Sequence, residues 1–198
     1  MSRRVVGVGI VGPGSMLLLA GVTCTGLNMD VVLGPPGTTT TIIMVRHAER
    51  EEGLDPPLNA EGQARAMALA DELEDDGVTA IFYPAFIRNR QTAQPLVDRV
   101  NPTIREYTQI EAADTRGLAN DFVAEVLADH AGGVVLWIGN TGPEIEGLQS
   151  GNLQEIYARL GGTDDPPIRY RSLYTIVIHD DEPPTITEGT YGGPSSLD

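Results

Sequence analysis

Two short segments hold the side chains best suited to chemistry. Arg46-His47-Ala48-Glu49 follows an apolar, β-prone run at residues 41–45, and Arg88-Asn89-Arg90-Gln91-Thr92-Ala93 follows a second run at residues 78–83. An imidazole and several guanidiniums brought to adjacent strand ends suit phosphoryl transfer. Guanidinium forks match phosphate oxygens two at a time, and a neutral imidazole can attack phosphorus. A metal centre fits less well, because arginine does not ligate metals and the other histidines, His130 and His179, lie far along the chain and read as structural. Neither a metal nor an organic cofactor is expected.

Placing these residues together requires a particular set of elements. The run at residues 41–45 is long enough for a strand buried on both faces. Asn59 can cap a helix reaching about residue 76, with Ala66, Leu69, Ala70 and Leu73 on one face and Gly77 as its stop. A second strand at 78–83 precedes a helix at 86–100, with an interruption expected at Pro95, and a third strand fits 103–107. Leu118, Phe122, Val126 and Leu127 mark another helix before Gly132-Gly133. A very apolar strand follows at 133–138, and 170–178 with 185–190 suggest a terminal hairpin across Pro183-Pro184. Strands alternating with helices predict an α/β domain, a mostly parallel sheet flanked by helices in three layers. In such a sheet ligands bind beyond the carboxyl ends of strands, which selects the loops after Val45, Tyr83 and Ile138.

Over residues 41–190 the chain resembles the histidine phosphatase superfamily, with its phosphoglycerate-mutase-like fold. The resemblance rests on Arg46-His47 ending the first strand, on Leu58-Asn59-x-x-Gly62 opening a helix, and on Arg88-x-x-Gln91-Thr92-Ala93. It implies that His47 is the nucleophile forming a phosphohistidine, and that Arg46 and Arg88 hold the phosphoryl group and stabilise its charge. Glu49 and Asn140 are the further residues expected against the substrate, and Arg90 is expected on the rim. The lack of long insertions resembles the short bacterial members rather than the sugar-phosphate mutases.

The chain departs from the family pattern in three places. The second histidine usual after the strand at 133–138 is absent, and the chain reads Gly139-Asn140-Thr141-Gly142 there. Either Asn140 takes its place, a neutral amide for a cation that costs about 2–4 kcal/mol in the transition state, on the order of 10²–10³ in rate, or two residues are absent, Asn140-Thr141 align with what normally follows, and the shorter loop displaces Arg46 and His47. Tyr83-Pro84 stands where a small hydroxyl residue is usual. The acid that protonates the leaving oxygen is undetermined among Glu106, Glu111 and Asp114. Two functions follow: a phosphomonoesterase, of low activity if the missing histidine matters, or a non-catalytic binding protein that keeps the fold and an anion pocket. The expected partner is a small phosphorylated compound or phosphate.

Charge narrows the field further. The 28 acidic residues outweigh 13 basic ones, all of them arginine, for a net charge of −15. Without lysine there is no Walker-A lysine and no Schiff-base chemistry, and so negative a surface excludes nucleic acid as a partner. At 198 residues with 41% hydrophobic content, the chain has room for one folded domain and a tail. Residues 1–40 form the tail: Arg3 and Arg4 begin it, an apolar core densest at Met16-Leu17-Leu18-Leu19-Ala20 follows, and Cys24 stands shortly after small residues. This layout predicts a signal or lipoprotein-like segment, hence export or a membrane tether, with the cytoplasm as the alternative. The residues around Gly34-Pro35-Pro36-Gly37 then read as an extended linker, leaving 41–198 as the folded domain. The competing readings of the tail are a buried N-terminal segment and a dinucleotide turn, either Gly7-x-Gly9-x-x-Gly12 or Gly12-x-Gly14 opening a helix at Met16, with Asp30 as the ribose acid. The strands such a turn needs do not follow in the expected order.

Overall fold

The computed structural model describes residues 31–142 and 151–197. The proposed leader with Cys24 and the rival glycine turn lie outside the described residues. No helix among the described residues is long and apolar enough to cross a membrane.

Six strands form one sheet: β1 (Thr40–Arg46), β2 (Val78–Pro84), β3 (Thr103–Tyr107), β4 (Val134–Gly139), β5 (Ser172–Ile178) and β6 (Thr185–Thr190). Their order is β3-β2-β4-β1-β5-β6. The first four are mutually parallel and the terminal hairpin β5-β6 runs antiparallel, so the fold is α/β with a mixed, mostly parallel sheet. Helices α1 (Ala60–Leu73), α2 (Ile87–Val100), α3 (Thr115–Asp129) and α4 (Asn152–Arg159) cover the two faces.

Alternation along the strands divides the core into two layers. Ile42 and Met44 of β1 pack with Phe82, Trp137, Phe122 of α3 and Ile156 of α4. Ile43 and Val45 face the other way, onto Leu69 and Leu73 of α1 and Leu96 of α2. Each such side chain contributes roughly 1.5–3 kcal/mol by leaving water, which fixes the strand register tightly.

Three elements differ from expectation. Helix α2 runs through Pro95 without a break. The buried Ala93 and Leu96 on either side anchor it, so packing outweighs the one lost backbone bond. Helix α4 was not anticipated, although Leu153, Ile156, Tyr157 and Leu160 supply a buried stripe at helical spacing. The expected linker is tied to the domain: Val32 joins the core, the Gly34 N–H donates to the His179 carbonyl at 2.7 Å, and the Gly37 N–H donates to Asp180.

The register decides what meets at the carboxyl edge. Arg46 lies opposite Gly139 in the parallel β1/β4 pair, so His47 and Asn140 leave adjacent strands side by side. In the antiparallel β1/β5 pair Val45 lies opposite Leu173, which brings residues just before β5 to those just after β1. The opposite edge holds the other two histidines. His179 follows Ile178, the partner of Thr40 at the start of β1, and the His130 carbonyl accepts from Gly133 ahead of β4.

Candidate active site

The loop leaving β1 is clamped before any functional group is considered. His47 N–H donates to the Gly139 carbonyl at 3.0 Å, and Ala48 N–H donates to Thr92 Oγ1 at 2.9 Å. Asn59 caps α1 by accepting from Gly62 N–H at 2.8 Å, while its own N–H donates to the Glu49 carbonyl at 3.1 Å. Gly62 is obligatory here, because a Cβ at that position would stand 1.9 Å from the Glu49 carbonyl oxygen.

The first turns of α2 complete the clamp. Leu58 N–H donates to Gln91 Oε1 at 2.7 Å, and Asn89 Nδ2 donates to the Ile138 carbonyl at 3.2 Å and to Asn140 Oδ1 at 2.7 Å. Asn89, Gln91 and Thr92 therefore tie the loops after β4 and β1 to one helix, leaving Arg88 to face the site. The motif was visible in the sequence, but those three positioning roles were not.

His47 is 4% exposed, and its Nδ1 lies 2.8 Å from the Ala48 carbonyl. A carbonyl only accepts, so Nδ1 carries the proton and Nε2 keeps its lone pair. Burial lowers the imidazole pKa from 6.5 to about 3; the bond to Ala48 opposes the shift, and Arg46, Arg88 and Arg50 reinforce it. The ring is thus neutral across the physiological range.

Each arginine is held differently. Arg46 donates to the Ile168 carbonyl at 2.9 Å and the Tyr170 hydroxyl at 3.1 Å, with its guanidinium 4.0 Å from the centre of the Tyr170 ring. That ring also meets the His47 imidazole edge-on at 5.9 Å. Arg88 stacks on Phe86 at 4.3 Å and stands 3.4 Å from Asp55 Oδ1. Burial lowers the Arg88 pKa, and Arg50 is the next cause in the same direction. Sequence reasoning missed Arg50, Asp55 and Tyr170; they reach the site from loops and carry no motif of their own.

The remaining expectations divide. Asn140 is 8% exposed beside His47, with its Nδ2 buried and unpartnered. Glu49 does not face a substrate: it is fully buried, and both carboxylate oxygens accept from Arg65 Nε, at 2.7 and 2.8 Å. The three acid candidates are engaged elsewhere. Glu106 is paired with Arg90 on the rim, Glu111 accepts from Thr108 N–H and from Arg105, and Asp114 caps α3 through Gly117.

The family model described as the histidine phosphatase superfamily (branch 1) matches residues 42–160, more than half of the chain. The chain belongs to the histidine phosphatase superfamily. No curated protein matches it. Among solved structures, the protein histidine phosphatase SixA in complex with tungstate is 14% identical with a TM-score of 0.56, over 76% of this chain and 96% of that one. A mycobacterial structure described as hydrolase 2 is 15% identical with a TM-score of 0.55, over 81% of this chain and 94% of that one. The mycobacterial glucosyl-3-phosphoglycerate phosphatase in complex with VO3 is 17% identical with a TM-score of 0.54, over 78% of this chain and 99% of that one. At these identities the structures show the shared fold. Within the superfamily frame, the arginines and His47 stand at the carboxyl edge, where α/β sheets bind ligands.

Proposed function

We propose that this chain hydrolyses phosphomonoesters through a phosphohistidine on His47. The observation that carries the reading is a buried, neutral imidazole with Nε2 free, on which three guanidiniums act. Nε2 attacks phosphorus while Arg46 and Arg88 bind the phosphoryl oxygens, whose charge shifts as the bond to the leaving oxygen breaks. Water then attacks the phosphohistidine, releasing phosphate and restoring His47. Arg50 adds a third positive charge acting on His47 that the sequence pattern did not reveal. Oxyanions such as the tungstate and VO3 held by the two structural neighbours fit the same chemistry. The test is hydrolysis of p-nitrophenyl phosphate by the full chain. Turnover that His47→Ala reduces to background supports the reading, and wild-type turnover no greater than that of His47→Ala contradicts it.

A second reading, phosphate binding without turnover, is favoured by Asn140 alone. Its unpartnered Nδ2 offers a neutral donor to an oxyanion but no charge. Phosphate binding without hydrolysis, with hydrolysis gained in Asn140→His, is the result expected of that reading.

A further inference from the structure

Phosphoester cleavage leaves an alkoxide or phenolate that needs a proton, and the structure narrows its source. Glu49, Glu106, Glu111 and Asp114 are each engaged by partners other than Arg46, Arg50 and Arg88. Among the described residues, Asp55 is the carboxylate in contact with a guanidinium of the site, at 3.4 Å from Arg88 Nη1. It stands on a short loop whose ends are pinned beside His47 by the bond from Glu51 N–H to the Pro57 carbonyl and by the bridge between Arg50 and Leu58. Its Oδ1 also accepts from Ile87 N–H at 2.9 Å, at the start of α2, where Phe86 offers no side-chain cap. The carboxylate is 31% exposed, so a substrate can reach it.

Resting on the phosphatase reading, we propose that Asp55 is the catalytic residue that protonates the leaving oxygen. A phosphate dianion on Arg88 displaces the carboxylate from that guanidinium and sits beside it. Two like charges in contact favour a proton on the carboxyl group. As the bond from His47 Nε2 to phosphorus forms, the bond from phosphorus to the ester oxygen breaks with its electron pair remaining on that oxygen. The Asp55 proton passes to it and the alcohol departs. The water that hydrolyses the phosphohistidine returns a proton to Asp55, so the cycle consumes one ester and one water and yields one alcohol and one phosphate.

The competing role for Asp55 is purely structural, as a cap for α2 and a tether for Arg88. Leaving-group dependence separates the two, because general-acid assistance matters in proportion to the basicity of the departing oxygen. The experiment compares single-turnover release from phenyl phosphate and p-nitrophenyl phosphate, two esters of similar shape, by the full chain and by Asp55→Asn. The expected result is a loss on the order of 10²-fold with phenyl phosphate and under about fivefold with p-nitrophenyl phosphate, with Asp55→Glu restoring most of the difference. If Asp55→Asn melts early, Asp55→Ser, which keeps an acceptor for Ile87 N–H, serves the same comparison. Equal losses on both esters overturn the proposal, as does no loss on either, or a wild type that cleaves p-nitrophenyl phosphate but not phenyl phosphate. A wild type that cleaves neither overturns the phosphatase reading together with this one.

Discussion

Arg65 and Arg88 are both largely buried, yet they are finished differently. Arg65 lies in α1 with its side chain 3% exposed, held by both oxygens of Glu49 and by the carbonyls of Tyr191 and Gly193. Arg88, 12% exposed in α2, has one long contact to Asp55, a ring beneath it and a buried Nε with no acceptor. Arg46 and Arg50 add further positive charge beside it. A complete set of acceptors makes an arginine part of the scaffold. An incomplete set among like charges leaves an arginine that an anion can finish.

The sharpest way to break this contrast is to remove the acceptor from the finished site. Glu49→Ala leaves Arg65 buried without its carboxylate and is expected to lower unfolding free energy by about 3–5 kcal/mol, read from urea denaturation. An unchanged midpoint removes the structural half of the comparison. At the unfinished site the effect moves from stability to rate. Arg88→Met is expected to lower kcat/KM by on the order of 10²–10³, about 2.7–4 kcal/mol of transition-state stabilisation, while the melting temperature holds or rises. A variant that unfolds early and keeps its activity contradicts the assignment.

The same contrast has a pH signature through His47. Its folded pKa of about 3 lies below the unfolded 6.5, so stability is full above 6.5 and is lost as pH falls toward 3, where the unfolded chain takes up a proton that the folded site refuses. Between pH 7 and pH 5 the wild type is expected to lose about 2 kcal/mol more than His47→Gln in buffer free of oxyanions. Parallel pH profiles for the two proteins count against a buried neutral imidazole.

The sequence exposed the part of the site that lies at strand ends. His47, Arg88 and Asn140 follow β1, β2 and β4 closely, and the strands are apolar enough to be recognised from composition alone. Glu49 was misread because its partner Arg65 comes from the next helix, and because Gly62, which lets that helix press against the loop, was read only as part of a motif. Tyr170 was invisible for a topological reason. It joins Arg46 only because β5 runs antiparallel beside β1, and pattern alone does not fix that register. Arg50 and Asp55 sit on an irregular loop with no periodicity to aim their side chains. Their positions come from its closure between Glu51 and Pro57. Pro95 was given too much weight, since the cost of one missing hydrogen bond is small beside the packing of Ala93 and Leu96.

A phosphoryl transfer to His47 Nε2 passes through a covalent intermediate that can be trapped. Its most direct test is to mix the full chain with excess p-nitrophenyl phosphate, quench under alkaline conditions that preserve phosphohistidine, and locate the modification by peptide mass spectrometry and phosphorus NMR. A phosphoryl group on Nε2 of His47, absent from His47→Ala, is the expected result. Nitrophenol release with phosphate found on another residue, or on none under the same quench, would contradict it.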